Sequence, residues 1–155
     1  MEVGKSIKSV MENDKKVGFY EGDYYGLSNF SAHQVVWEGK TFATAEHAYQ
    51  ACKFADPVKK REIESAPSAF LAREYGQSKE GRAVPFDKVG IIKSIMRAKL
   101  RQHEDVRRSL LATGDREILK DHPEDTGFWG SKVDGTGQNI MGEIWMELRG
   151  ELTVG

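Results

Sequence analysis

The chain lacks the residues that crosslink small secreted proteins or hold structural metals. Cys52 is the single cysteine among 155 residues, so an internal disulfide cannot form. No four cysteines and histidines show the spacing of a zinc site. These two absences indicate a protein of a reducing compartment, and we expect it to be cytoplasmic, with no bound metal and no cofactor.

Long apolar runs and a strong net charge are lacking as well. Residues 1–16 alternate charged residues with single apolar ones, unlike the continuous apolar core of a signal peptide, and we expect this segment to be frayed. No run approaches the roughly 20 apolar residues that span a bilayer. The formal net charge of −1 gives no overall attraction for nucleic acid, so any anion-binding surface must be local. We therefore expect neither a membrane partner nor a stable nucleic-acid partner.

Residues 17–155 are enough for one domain that buries its own core. Hydrophobic periodicity predicts a short strand at 17–20, a β-hairpin at 34–42 and helices at about 44–54, 58–65, 68–75 and 87–102, with the pattern continuing to Gly114 and a last helix from Ile140. The longest of these helices should bury a stripe made of Val89, Ile92, Ile95, Met96 and Leu100.

The helix predicted between Thr44 and Phe54 carries the most informative pattern. Glu46, Gln50 and Lys53 recur at i, i+4 and i+7, which places their side chains on one stripe. The other faces are almost uncharged, so we expect this helix to be packed nearly all round, with Thr44 as its cap. The stripe is a solvated polar face, a structural ion pair or the lining of a cleft. The small residues beside it favour the cleft.

Aromatic and small polar residues alternate between Tyr24 and Ser31 without a clean period. Such a loop can be plain surface. Alternatively, an aromatic side chain such as Tyr25 stacks on a flat ligand while the polar groups of Ser28 and Asn29 fix the ligand in place.

A second loop, 125–139, contains four glycines and leads into the last helix. Asn139 is a good N-cap, so backbone N–H groups near Gly135 and Gly137 could converge on an anion at the helix start. The signal is weak, because glycine-rich turns before helices are common and this one matches no Walker or dinucleotide motif. Asp125 and Asp134 could equally serve turns through their side chains, and Trp129 could be core or a stacking wall.

Together these segments resemble the YbiA-like family of the NADAR superfamily. The resemblance runs in order and with family-like spacing from about Phe19 to Arg149. It is carried by Leu27-Ser28-Asn29-Phe30, Thr44-Ala45-Glu46-His47, Tyr49-Gln50, Lys53-Phe54, Thr113-Gly114, Trp129-Gly130, Asp134-Gly135, Gly137, Asn139, Met141-Gly142, Met146 and Arg149.

The resemblance implies an α+β fold of many helices around a small β-sheet, and a hydrolase that acts on N-glycosyl bonds without a metal. The expected substrate is a small phosphorylated ribosyl compound, foremost a phosphoribosylamino-pyrimidine intermediate of riboflavin biosynthesis. The alternatives are removal of ADP-ribose from guanine bases and a non-catalytic module that binds ADP-ribose or another nucleotide. The family commonly has an Asp-Trp pair where this chain has Asp87-Lys88, so the base specificity stays open.

The reaction that the resemblance implies suggests roles for these residues. Glu46 would stabilise an oxocarbenium-like C1′ and activate water, and Asp134 or Asp125 would be the second acid. Lys53 would either pair with the phosphate or attack C1′ as an amine, because burial lowers a lysine pKa while a nearby carboxylate raises it. The expected substrate-binding residues are Tyr25, Trp129 or both on the base, Gly135, Gly137 and Asn139 on the phosphate, and also Ser28, Asn29, Gln50 and Gly130.

Overall fold

A computed structural model of the chain describes residues 12–83, 86–123, 126–132 and 134–154. The strands are β1 (Lys16–Gly18), β2 (Val35–Trp37), β3 (Lys40–Phe42) and β4 (Glu117–Leu119), and the helices are α1 (Ala45–Cys52), α2 (Pro57–Glu64), α3 (Ala69–Tyr75), α4 (Lys88–Gln102), α5 (Glu104–Ala112) and α6 (Ile140–Val154). The predicted α+β class is confirmed, although the strands form two separate two-stranded sheets. Within the described residues no helix is both long and apolar enough to cross a membrane.

The chain divides into two compact units. The central unit is the continuous stretch 29–104, and the terminal unit combines residues 1–28 with 105–155. Residues 1–11, which make up most of the segment expected to be frayed, lie outside the described part of the chain, as does Asp125. Glu12 is described, and its carboxylate is 3.2 Å from the Arg116 guanidinium within the terminal unit.

Helix α1 is the core element of the central unit. All seven residues from Ala45 to Ala51 are buried, which confirms the prediction of a helix packed nearly all round. The Thr44 side chain accepts from the His47 backbone N–H, as expected of the cap. The His47 ring is also fixed at both nitrogens, by the Thr44 hydroxyl and by the Ala66 carbonyl. His47 therefore has a structural role.

The predicted hairpin and the helices around α1 are confirmed within two residues. Strands β2 and β3 pair antiparallel with Val35 opposite Phe42. On α4 four of the five predicted stripe residues are buried, but Val89 in the first turn is 37% exposed, so that part of the stripe was wrong. The helix instead buries Lys99 completely, and the Lys99 ammonium donates to Ser31 Oγ at 2.7 Å.

The terminal unit is built on two parallel strands and α6. Strand β1 pairs with β4 in the register Val17 to Ile118. Helix α6 buries Met141, Ile144, Trp145 and Leu148. Gly142 lets it approach β4, because a Cβ there would lie 2.1 Å from the Ile118 carbonyl oxygen. Trp145 is fully buried and its indole N–H donates to the Leu27 carbonyl at 2.9 Å. The pair β1–β4 is the frame from which the loops of this unit extend.

Candidate functional site

Glu46 lies in the first turn of α1, where the partial positive charge of a helix N-terminus favours a carboxylate. The residue is 8% exposed, and its backbone N–H donates to the Asn29 carbonyl at 3.1 Å. The Gln50 amide, one turn later, donates to Glu46 Oε1 at 2.8 Å. This contact confirms that Glu46 and Gln50 share a stripe, and it holds the carboxylate in one orientation.

Two amide oxygens next to this arrangement are buried and have no hydrogen-bond partner among the residues that the structure describes. They are Gln50 Oε1 and Asn29 Oδ1, and both residues are at most 5% exposed. Roughly 90% or more of buried polar groups are paired in native proteins, so two unpaired acceptors in residues that contact Glu46 require an explanation. Acceptors of this kind suit the O–H or N–H donors of a sugar or an amine.

Lys53 follows α1 as its C-cap and is half-buried. Its ammonium lies 5.3 Å from the centre of the Tyr49 ring. Burial lowers the pKa of Lys53 most, the nearby cations Arg82, Arg73 and Lys88 lower it further, and Glu46 opposes them. The effects that lower the pKa of Lys53 exceed the opposite effect of Glu46. A lowered pKa increases the fraction of neutral amine at a given pH.

Arg82 is a candidate site residue that sequence reasoning missed. Its guanidinium donates to the Ser78 carbonyl at 2.8 Å and to the Gly76 carbonyl at 3.1 Å, and it lies 5.6 Å from the centre of the Phe54 ring. Arg82 is exposed yet fixed, and it acts on the pKa of Lys53. It lies in an irregular segment between α3 and α4, where no periodicity could reveal its position.

The glycine loop of the terminal unit differs from the predicted phosphate cradle. The backbone N–H groups of Gly135, Gly137 and Asn139 donate to the carbonyls of Lys132, Ser131 and Gly130, respectively. The N–H groups of Ile140 and Met141, at the start of α6, donate to loop carbonyls in the same way. The prediction that these groups converge on an anion is therefore corrected, because the loop satisfies them internally.

Close packing explains the glycines in this loop. A Cβ on Gly137 would lie 2.2 Å from the Gly130 carbonyl oxygen, and Gly135 has a φ of +80°, in the left-handed region. The Asn139 side chain also departs from its predicted capping role. Its Oδ1 accepts from the Lys120 N–H and its Nδ2 donates to the Ile118 carbonyl, so it ties the loop to β4.

Asp134 closes a turn through its side chain, which was the predicted alternative to a catalytic role. Its carboxylate accepts from the Thr136 hydroxyl at 2.7 Å and from the Thr136 N–H at 3.0 Å. These two hydrogen bonds lower the pKa of Asp134, with the hydroxyl contributing most. A proton donor near neutral pH needs a raised pKa, so the geometry does not favour the second-acid role predicted for this residue.

The remaining predicted binding residues lie in the terminal unit. Tyr25 belongs to a short 3₁₀ helix, Tyr25–Leu27, and is 42% exposed, while Ser28 closes this turn by donating its N–H to the Tyr25 carbonyl. Trp129 is half-buried and its ring meets the Phe128 ring edge to face, with centroids 4.8 Å apart. The structure thus groups Asn29, Glu46, Gln50 and Lys53 in the central unit, and the other predicted residues in the terminal unit.

Comparison with known proteins places this architecture in a family. Residues 18–153 match the NADAR domain. The chain belongs to the NADAR family. The N-glycosidase YbiA of Escherichia coli is 35% identical to it over 96% of this chain and 94% of the relative. The NMR structure of the E. coli protein YbiA superposes with a TM-score of 0.81 at 33% identity, covering 96% of this chain and 90% of that one.

Two further relatives extend the comparison. An N-glycosidase of Nostoc punctiforme is 33% identical over 83% of this chain and 86% of its own length. A riboflavin biosynthesis protein of Vibrio vulnificus is 38% identical over 90% of this chain, but the chain spans only 39% of that relative. The family resemblance predicted from the motifs is confirmed.

Several motif residues of this NADAR chain have a structural role. Arg149 donates to Thr113 Oγ1 at 2.9 Å and to the Arg116 carbonyl at 2.8 Å, which fixes the turn after α5 to α6. Gly142, as described above, sets the approach of α6 to β4. The motif set therefore combines residues that build the fold with Glu46 and with Asn29 and Gln50, whose buried amide oxygens have no partner among the described residues.

Proposed function

We propose that this NADAR-family chain hydrolyses the N-glycosidic bond between a phosphorylated ribose and an exocyclic nitrogen of a base, with Glu46 as the central catalytic group. The observation that carries the proposal is the buried Glu46 carboxylate, oriented by Gln50 and accompanied by two unpaired buried acceptors. Two relatives that the chain matches over most of their length, YbiA of E. coli and the Nostoc protein, are named N-glycosidases, which supports hydrolysis of an N-glycosidic bond.

Glu46 carries two tasks in this proposal. Its negative charge stabilises the positive C1′ as the bond to nitrogen breaks, and it then accepts a proton from the attacking water. The water oxygen bonds to C1′, and the proton passes to the departing amine nitrogen, so the products are a free sugar phosphate and a neutral amine. Asn29 Oδ1 and Gln50 Oε1 accept from ribose hydroxyls or from the amine.

Lys53 gives the reaction a covalent route. The ribosylamine can open to an imine at C1′, and a neutral lysine amine can add there and expel the base amine. Water then hydrolyses the resulting Schiff base and releases the lysine. The lowered pKa of Lys53 supports this role, because the route needs the neutral amine.

The cations around Lys53 support a phosphate contact near the C-terminal end of α1. Arg82, Arg73 and Lys88 all act on the pKa of Lys53, so several positive charges from other segments lie near the C-terminal end of α1 although the chain is slightly acidic overall. A fixed guanidinium suits a phosphate group, which accepts two parallel N–H bonds. Arg82 therefore replaces the glycine loop as the proposed phosphate contact.

The proposed substrate is a phosphoribosylamino-pyrimidine of the riboflavin pathway. The name of the Vibrio relative, a riboflavin biosynthesis protein, supports this choice. The test incubates the protein with phosphoribosylamino-pyrimidine and, in parallel, with ADP-ribosylated guanosine, and scores release of the sugar phosphate. Glu46→Gln should lower turnover at least about a hundredfold with substrate affinity changed only a few-fold, because the amide keeps the shape but cannot act as a base.

Glu62→Gln is the matched control, since Glu62 is an exposed carboxylate on α2 in the same unit. It should leave turnover within twofold. Near-normal turnover in Glu46→Gln would remove Glu46 from the mechanism. Release from the guanosine adduct alone would change the substrate to ADP-ribosylated guanine, and binding without release from either compound would leave a nucleotide-binding module.

A further inference from the structure

The terminal unit contains a cavity whose residues have no part in the proposed function. The cavity lies between the turn that leads into β1 and the turn that joins α5 to β4, and its volume is about 350 Å³. This volume is at the lower end of the range for small-molecule sites. The carboxylates of Glu12, Asp14 and Asp115 line it, together with the guanidinium of Arg116. We call it the acidic cavity, because negative charges exceed positive ones in its lining.

Hydrogen bonds fix both turns that form the acidic cavity. In the turn before β1, Asn13 Oδ1 accepts from the backbone N–H groups two and three residues later, at 2.8 and 2.9 Å. In the turn after α5, Arg149 donates to Thr113 Oγ1 and to the Arg116 carbonyl. A ligand that binds between fixed turns loses little affinity to the ordering of the protein.

The positive charge of the cavity is already paired within the protein. The Arg116 guanidinium donates to the carbonyls of Ala112 and Thr113, to the Tyr24 hydroxyl at 2.8 Å and to Glu12 Oε2 at 3.2 Å. These contacts orient the guanidinium and neutralise it with one carboxylate. The cavity is therefore suited to a cation rather than to an anion.

The Glu12 carboxylate has a second oxygen that these contacts do not use. Oε1 is buried and has no hydrogen-bond partner among the residues that the structure describes, and the Glu12 side chain is only 10% exposed. Buried polar atoms without a partner are rare in native proteins, so Oε1 favours a donor supplied by a ligand. The last bond of a glutamate side chain rotates readily, so Oε1 can turn to a donor in the cavity.

The end of α5 adds to the preference for a cation. The helix ends at Ala112, and this residue and the two that follow it line the cavity. The C-terminus of a helix carries a partial negative charge, and the last turn of α5 has no basic residue to offset it. Carboxylates and a helix C-terminus thus act in the same direction.

The spacing of the carboxylates favours an organic cation over a metal ion. Two ligands of one Ca²⁺ lie at most about 5 Å apart, because each Ca–O bond is about 2.3–2.6 Å long. Within the described part of the chain, Glu12, Asp14 and Asp115 do not form a group whose ligand atoms all lie within 4.8 Å of one another. Ammonium groups spaced along an aliphatic chain can meet carboxylates that are further apart, and each ammonium has three donors.

We propose that the acidic cavity binds an aliphatic cation with two or more ammonium groups. One ammonium donates to Glu12 Oε1, and the others are attracted by Asp14 and Asp115, which are both exposed. The site lies entirely within the terminal unit and goes beyond the proposed function.

The test is isothermal titration calorimetry of the full chain with spermidine, in about 0.1 M salt to screen distant charges. The wild-type protein should bind one spermidine per chain. Glu12→Gln should weaken binding at least about tenfold, because the buried oxygen loses the charge that strengthens its hydrogen bond to an ammonium. Asp14→Asn and Asp115→Asn should each weaken it about two- to fivefold, as is usual for exposed ion pairs. n-Butylamine, with a single ammonium, should bind at least about tenfold more weakly than spermidine.

Glu143→Gln is the matched control, since Glu143 is an exposed carboxylate on α6 of the same unit and does not line the cavity. It removes the same charge and should leave spermidine binding within about twofold. Urea unfolding shows whether each variant is folded. If Glu12→Gln is not, because it weakens the contact with Arg116, the two exposed aspartate variants decide the test.

Three results would overturn the proposal. They are no binding of spermidine by the wild type, a loss in the cavity variants no larger than in Glu143→Gln, and displacement of spermidine by an equal concentration of MgCl₂, which would make the cavity an inorganic cation site. Turnover enters none of these measurements, so their outcome is independent of the role proposed for Glu46.

Discussion

The hydrogen bond from Gln50 to Glu46 gives the sharpest test of how the stripe on α1 works. Gln50→Met removes the amide but keeps the length of the side chain, and so leaves the buried Glu46 carboxylate without its 2.8 Å donor. A hydrogen bond to a charged group is worth about 1.5–3 kcal/mol, which corresponds to roughly a 10- to 150-fold change in rate if it is needed in the transition state. We expect kcat to fall in that range and KM to rise as well, because the substitution also removes the Gln50 Oε1 acceptor that the proposal places on the substrate.

A neighbouring glycine provides an independent perturbation of the same bond. Gly76 has an ordinary φ of −71°, so alanine suits its backbone, but the added Cβ would lie 2.0 Å from Gln50 Oε1. Gly76→Ala should therefore displace the amide and reduce kcat in the same direction. Combined with Gln50→Met the two effects should not add, because both act through one hydrogen bond.

The assay is steady-state hydrolysis of the phosphoribosylamino-pyrimidine, accompanied by urea unfolding of each variant. A rise in KM with unchanged kcat in Gln50→Met would refute the positioning role and assign Gln50 to uniform substrate binding. Fully additive losses in the double variant would show that Gly76→Ala acts elsewhere.

Three further predictions concern other parts of the chain. Burial has the largest effect on the pKa of Cys52 and, with nearby carboxylates, raises it from 9.0 to about 11. Alkylation of Cys52 by iodoacetamide at pH 8 should therefore be about a hundredfold slower than that of an ordinary thiol. Equal rates would contradict the burial of this thiol. Borohydride added during turnover should trap a sugar adduct on Lys53, whereas no adduct by mass spectrometry, together with activity in Lys53→Arg, would leave Lys53 only a charge. Gly137→Ala should lower the free energy of unfolding by about 1–3 kcal/mol, because the added Cβ would lie 2.2 Å from the Gly130 carbonyl oxygen. Gly150→Ala in α6 should raise it by up to about 1 kcal/mol, because a Cβ there would meet no described atom within 4 Å. Urea unfolding measures both changes.

The sequence predicted best those features that one segment encodes by itself. Thr44 stands directly before an amphipathic run, so the cap, the start of α1 and the Glu46 to Gln50 contact follow from helical spacing alone. Strand β4 was missed because three residues carry no measurable period, and only pairing with the distant β1 makes them a strand.

The glycine loop shows why a motif can suggest the wrong contact. Glycines before a helix allow an anion site, but they also allow a loop to fold on itself, and the choice depends on which carbonyls come within reach. Gly137 and Asn139 lie where loop and strand carbonyls accept their N–H donors. Arg82, in contrast, belongs to no motif. Its guanidinium is positioned by the carbonyls of Gly76 and Ser78, and sequence periodicity does not report such contacts.

The parallel pairing of β1 and β4 has a consequence for synthesis on the ribosome. Tyr20 and its partner Asp121 are 101 residues apart, so β1 emerges long before the strand that completes its sheet. The stretch 29–104 is one continuous, compact unit, so it can collapse as soon as it leaves the exit tunnel. Closing so long a loop is entropically costly until the intervening chain is compact. Early folding of residues 29–104 therefore lowers the entropic cost of pairing β1 with β4.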